Sequence, residues 1–538
     1  MKRLSIILIA LTVLFTACNP ETNPMNGVSM VVDTRVANSS VSLMFADAAT
    51  GQPINDDITV SISGDGVDNV FDIGGYKSAT YKAKNGFLTL AIISADEISE
   101  TNKINFVIEG DIAGFLPSTH VFSFTEESHE AIKVSMLNIA EPESLPDGVE
   151  VTVQTAEVVG GVVQDTLRYN LISESSNTGM DITIPAGMVM KDASGIALSG
   201  DISVSTVYFN NQDDAALAAY PGGLNMKLNS DNRAITTGFM TTCGFTRIHI
   251  TDELGRVARN FTEGTMHLEV EIPTNTIRPN GDLVVSGDNL KSISRQEDED
   301  AWFDEDDNIP VEGPNDNGNL VVSSEISHLS YHNWGWFTEN TCESEITTMT
   351  INSEVYGPTI EGDVNYEIRK AVDNKLMERG IWHFNYGIPF DINVYEGQEV
   401  KIILKKGSSA GCISVLDSVF VADMCTEDIS ISIPVETDIL PEVKIIMDGT
   451  CSGAEGVIIK PSLGFWYLNT SNECADWQQA YMINGEVTLI NLEVGATYQV
   501  NAYIDEQVKS STVVVTSDST EYYRHIDLPA DVCNMIGY

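Results

Sequence analysis

The sequence predicts an all-β protein, a series of tandem β-sandwiches behind an N-terminal targeting segment. Three observations carry the prediction. From residue 28 onward, short alternating or β-branched runs such as Val41 to Phe45, Ile58 to Ile62, Phe87 to Ile93 and Ile104 to Ile108 are separated by Gly, Asn and Asp. No apolar pattern of helical period persists over the length of a helix. Three stretches, Ala140 to Gly148, Asn340 to Glu345 and Val435 to Pro441, interrupt both periodicities with Pro and acidic residues and read as domain junctions.

The chain opens on Lys2 and Arg3, followed by Leu4 to Ala17, an uncharged and mostly apolar run that stops at Cys18. A run of about 14 residues is too short to span a bilayer, which takes roughly 20, and a small residue before the stop marks a cleaved signal peptide, residues 1–17. The segment Leu14-Phe15-Thr16-Ala17-Cys18 resembles a bacterial lipobox, with Phe15 where that pattern more often has Leu. The resemblance implies a lipid anchor on Cys18 as the chain's one contact with the membrane, ordinary secretion being the alternative. Residues 18–27, rich in Pro, Asn and Gly, form a tether. Asn19 is not the Asp that signals inner-membrane retention in such lipoproteins. The expected address is therefore the outer membrane, in its periplasmic or cell-surface leaflet.

At roughly 150 residues per domain, 538 residues call for three to four units. The junctions give 28–139, 146–338, 343–436 and 440–538, and each of the last two has about the length of one Ig-like sandwich. In the first block, Asp47-Ala48-Ala49-Thr50-Gly51-Gln52-Pro53-Ile54 makes a turn and Phe115-Leu116-Pro117-Ser118-Thr119 precedes a strand. This pair resembles the carboxypeptidase regulatory-like, transthyretin-type sandwiches, which implies a β-sandwich and no peptidase activity. In the second block the ordered set Ile184-Pro185-Ala186-Gly187, Gly195, Gly200-Asp201, Tyr220-Pro221-Gly222-Gly223-Leu224, Trp302, Val311-Glu312-Gly313 and His328-Leu329-Ser330-Tyr331-His332-Asn333-Trp334 stands over about 150 residues. It resembles the module of cartilage intermediate layer proteins and of many bacterial lipoproteins, with His332 where an aromatic is usual. That resemblance implies a two-part β fold and no reaction.

Lys and Arg number 29 against 78 Asp and Glu, a formal charge of −49. A surface so acidic repels polyanions, which excludes nucleic acid as a partner. Even so, 43% apolar and 8% aromatic residues leave enough to bury for several folded units. Cysteines concentrate late in the chain. Cys342, Cys412, Cys425, Cys451, Cys474 and Cys533 are disulfide candidates for an oxidising compartment, with Cys412 to Cys425 and Cys451 to Cys474 as local choices among the possible pairings. Cys243 reads as a buried small apolar residue.

Motifs with catalytic or metal-binding looks are weighed against their context. Gly407-Ser408-Ser409-Ala410-Gly411 matches a nucleophile-elbow pattern, but strand-like runs on both sides make it a hairpin loop. His328 and His332, read as strand residues, would stand about 13 Å apart, too far to share a zinc ion. In the acidic run Glu297 to Asp307, the residues Asp304, Asp306 and Asn308 open like an EF-hand loop and are candidate Ca²⁺ ligands, yet Ile309 and Asn315 stand where the loop needs Gly and Glu. Solvated carboxylates on a sheet edge are the plainer reading. Asp213 and Asp214 start a short helical or turn insertion. Trp334-Gly335-Trp336-Phe337 and Phe465-Trp466-Tyr467 could stack on a glycan, though alternation sends at least one aromatic of each into a core.

No catalytic residues, cofactor or resident metal follow from the sequence. The expected role is a non-catalytic, lipid-anchored envelope protein that binds, adheres or scaffolds, with a glycan or an envelope protein as partner. The alternative is a hydrolase acting on glycan or peptide, its carboxylates distant in sequence and convergent in space.

Overall fold

The structure, a computed structural model, describes residues 30–528 except 34–38, 73–74, 100, 221–222, 231–234, 297–300, 343–345, 355, 359–360, 407–413, 434–438, 452–456, 473–474, 476, 505–506 and 518–520. Cys18 and the tether, Cys412, Cys474, Cys533 and Ser409 lie outside the described residues, as does the side chain of Cys451. The chain is nearly all strand, arranged as tandem β-sandwiches.

In the first unit, Val70–Asp72, Phe87–Ile92, Ser39–Asp47 and His129–Met136 form one sheet, and Thr80–Ala83, Ile58–Ser63, Ile104–Asp111 and Ser118–Phe124 form the other. Alternation decides which side chains go inside. In Ile58–Ser63, Ile58, Val60 and Ile62 are buried while Ser63 is exposed. At the first turn the Asp47 carboxylate accepts the backbone N–H groups of Ala49 and Thr50, and Gly51 takes the positive φ of +69° that a side chain would resist.

One feature recurs in three units. The opening strand pairs in parallel with the closing strand: Ser39–Asp47 with His129–Met136, Ile346–Asn352 with Ile429–Ser432, and Ile439–Cys451 with Glu521–Leu528. Each of these units is thereby closed on itself. The N-terminal strand Met30–Asp33 departs from the pattern by pairing with Val457–Lys460 of the fourth unit.

The second unit spreads its strands over two linked sheets. Its spine is the long strand Thr236–Asp252, whose register against Tyr331–Glu339 shifts between Thr242 and Gly244. Cys243 is the extra residue of that bulge; it is buried, and burial pushes its thiol up to about 12. The short helix Asp214–Ala218 sits where the sequence places an insertion. Strand Trp302–Glu312 joins the two sheets: Phe303 to Pro310 run along Asn289–Arg295, while Val311 and Glu312 pair with Leu320–Ile326.

The units do not hang as separate beads. One apolar cluster draws Leu116 and Leu137 from the first unit, Val207, Phe209 and Phe245 from the second, Met349, Ile368 and Tyr395 from the third, and Ile490 from the fourth. At the second–third seam, Arg369 binds Asp214 at 2.5 Å and Glu367 at 2.7 Å, while the ammonium groups of Lys375 and Lys370 donate to the carbonyls of Asn211 and Arg278. Burial lowers both lysine ammonium groups below their ordinary range. At the first–fourth seam, Met44 and Phe87 pack against Trp466 and Trp477, and His129 stacks on Tyr481 at 3.6 Å.

Candidate functional site

Where strand Trp302–Glu312 leaves one sheet for the other, the sheets part and leave a polar groove of about 410 Å³. His267, Ser292, Glu305, Asp306, Asn308 and Glu325 line it. Two of the three candidate Ca²⁺ ligands, Asp306 and Asn308, are therefore at the groove, but the Asp306 carboxylate accepts the backbone N–H of Asn308 at 2.9 Å. Asp304 binds the Lys291 ammonium at 2.5 Å and accepts from Ser230 at 3.0 Å. A cation at Asp304 would have to displace that ammonium.

Behind Glu305 runs a directed chain of hydrogen bonds. A carboxylate only accepts, so His328 Nε2–H donates to Glu305 at 3.0 Å. In the neutral imidazole that leaves His328 Nδ1 to accept from the Ser330 hydroxyl at 3.3 Å, and the Ser330 oxygen to accept from His332 Nε2–H at 3.1 Å. His332 Nε2 also lies 3.3 Å from the His328 carbonyl, and its Nδ1 is buried without a partner. Burial, helped by the nearby His328, lowers the His332 imidazole to about 3. The His328 hydrogen bond holds Glu305 down at about 2.

The separation expected for the two histidines is corrected by this geometry. Their ring centroids are 5.2 Å apart, not about 13 Å. The strand begins only at Tyr331, and a bend at Ser330 folds His328 back over His332. Closeness does not make them a metal pair, because their nitrogens are engaged with Glu305 and Ser330 rather than converging on a point. Among the described residues, the one group of three with metal-ligand spacing is Cys342, Glu396 and Cys425, and both sulfurs are spent in a disulfide. That disulfide also replaces the local choice of Cys412 for Cys425: the partner is Cys342, 83 residues away, so the bond ties the start of the third unit to its end.

A second cluster escaped the sequence reading. The parallel register of Ile439–Cys451 and Glu521–Leu528 sets Asp448 opposite His525. Asp448 binds His525 Nδ1 at 2.6 Å and the Tyr523 hydroxyl at 2.7 Å, and His525 Nε2 lies 3.2 Å from Thr450 Oγ1. Burial opposes the Asp448 charge, yet the Tyr523 and His525 hydrogen bonds outweigh it and keep the carboxyl below its ordinary value. The alternation of polar residues at 448 and 450 and at 523 and 525 was the available signal; their pairing was not. Hydroxyl, imidazole and carboxylate stand here in the order of an acyl-transfer triad, but on an open sheet face with His525 43% exposed, where water competes for each bond.

The aromatic runs go mostly inside. Trp334 is fully buried and donates to Ser324 at 3.1 Å; Phe465 and Tyr467 face the fourth unit's core, and Trp466 faces the first unit. Within the groove Glu305 is held far down by its bond from His328, so this carboxylate stands there as a fixed hydrogen-bond acceptor.

No family model matches the chain, and no curated protein matches it. Among solved structures, it is similar to the shaft pilin SpaA of Lactobacillus rhamnosus GG at 9% identity, over 34% of this chain and 99% of that one, with a TM-score of 0.16. The full-length major pilins SpaD of Corynebacterium diphtheriae and RrgB of Streptococcus pneumoniae match over 91% of this chain and 96% and 100% of theirs, at 9% and 6% identity and TM-scores of 0.14 each. Scores this low give the matches no weight for the role of the chain.

Proposed function

We propose that the chain is a non-catalytic, lipid-anchored envelope protein, carried at the outer membrane through Cys18, that works as a scaffold presenting a binding or adhesion surface. The observation that carries this reading is the single apolar cluster to which all four units contribute, together with the aromatic seam that returns the fourth unit to the first. A chain whose only task was to link two distant points would leave its junctions free. Burying them fixes the outward faces relative to one another, as a surface for a glycan or an envelope protein requires. The net charge of −49 directs such a surface toward neutral or cationic partners.

The test is protease accessibility of a C-terminally tagged copy in intact and permeabilised cells, beside a Cys18→Ala variant. The reading expects membrane association that is lost in the variant. Cleavage in intact cells places the units outside and calls for a glycan screen, whereas protection until permeabilisation calls for an envelope partner. Unchanged membrane association of Cys18→Ala contradicts the anchor.

A further inference from the structure

The strand Met30–Asp33 leaves the unit that follows it and adds to the fourth. Its register is Met30 with Val457, Val31 with Ile458, Val32 with Ile459 and Asp33 with Lys460, all parallel. On its other side, among the described residues, the acceptor pairs Ile459 with Gly449 of the long strand Ile439–Cys451. Without the donor, Val457-Ile458-Ile459 would be a β-branched edge with unpaired main-chain groups, the kind of edge that captures another strand.

From this placement we infer that the acceptor edge is an interaction surface for a second copy of the chain, the two copies exchanging their Met30–Asp33 strands. Exchange keeps all four ladder pairs, because donor and acceptor are the same residues in either copy, and a reciprocal exchange closes as a two-fold dimer. The donor's sequence, Met-Val-Val, favours the extended state without help from its own unit. Four residue pairs form a weak hold in isolation. The strand paired within one chain competes through an effective concentration of about millimolar, so exchange belongs to crowded chains rather than dilute ones. The inference goes beyond the scaffolding reading and stands without the lipid anchor.

Two full-length variants with different tags, Val31→Cys and Ile458→Cys, test it when mixed under mild oxidation at rising concentration. Neither can form the cross-strand disulfide alone, so a heterodimer joined by both tags requires exchange. The expected result is a heterodimer absent when either variant is mixed with the parent chain, its fraction of the total chain rising roughly tenfold per tenfold in concentration below saturation. Adding Val32→Pro to the Val31→Cys chain should abolish it, since Pro removes a ladder donor. A chain carrying both cysteines reports pairing within one molecule as a cross-linked monomer. That monomer without heterodimer at any concentration overturns the exchange. Absence of both products, or a heterodimer that survives Val32→Pro, overturns it as well.

Discussion

The second–third seam and the first–fourth seam join sandwiches by opposite chemistry. At the former, Arg369 is clasped between Asp214 and Glu367, with Arg379 and Lys405 also on Glu367, beside the shared apolar cluster. At the latter, Phe87 meets Trp477 edge-on at 5.6 Å and Trp466 at 6.2 Å, with the Tyr503 hydroxyl donating to the Lys82 carbonyl at 3.1 Å. Charges in a desolvated seam are costly unless paired, so the ionic seam specifies one orientation; aromatic faces supply area with less demand on angle. The seam between neighbours in sequence is thus the directional one, and the seam between the chain's two ends is held by packing.

The largest blow to this contrast is Arg369→Ala, which leaves Glu367, only 4% exposed, short of a partner. Burial pushes the Glu367 carboxyl up, and Lys405 and Arg369 together reverse that, so deletion of Arg369, with Lys405 and Arg379 still on Glu367, is expected to cost about 3 kcal/mol by urea denaturation. A cost near zero would show that the apolar cluster alone sets this seam. Next, Trp477→Ala should cost about 3 kcal/mol and open protease sites in the fourth unit while the second–third seam stays resistant. Loss of protection at both seams would erase the distinction between them.

Acid sharpens the contrast from another side. His332 in the second unit is lowered to about 3 by burial, and His120, on the strand of the first unit whose Thr119 accepts from Arg295, to about 4 by burial and Arg295. Both must stay neutral in the fold, so the unfolded chain binds more protons below an ordinary histidine value near 6.5. Their contribution is complete above about pH 6.5 and is lost as pH falls toward 4 for His120 and 3 for His332. Between pH 7 and 4 the second unit and its contact with the first should weaken by about 6 kcal/mol, about 3 from each histidine, as followed by thermal melts across that range. His332→Phe should flatten the pH dependence; an unchanged slope would assign it elsewhere. The smallest effect expected is for Tyr503→Phe, about 1 kcal/mol for one hydrogen bond, and a much larger loss would mean the aromatic seam is as directional as the ionic one.

Much of the fold could be read from period alone. The run Ile58 to Ile62 alternates and its apolar members are buried; Phe465-Trp466-Tyr467 alternates and its members face opposite sides. Period assigns a side chain to a face and says nothing of the partner across that face. Hence Phe87 could be placed in a strand, but its contact with Trp466 and Trp477 could not be foreseen. The same limit hid the pairing of Cys342 with Cys425, chosen by sheet closure rather than by nearness in sequence, and the Asp448–His525 bond, which depends on a parallel register. At His328 the pattern misled, because a bend at Ser330 looks like alternation in sequence and brings together rings that a strand would separate.

Small-angle scattering of the purified chain tests most directly whether the four units form one body. About 500 residues gathered together have a radius of gyration of roughly 24 Å, and the lobes of four fused sandwiches extend that to no more than about 30 Å. Buried seams predict a value in that range that is independent of salt. A radius near 45 Å, about that of four sandwich-sized bodies strung end to end, would contradict the fused scaffold and return the chain to separate domains on linkers.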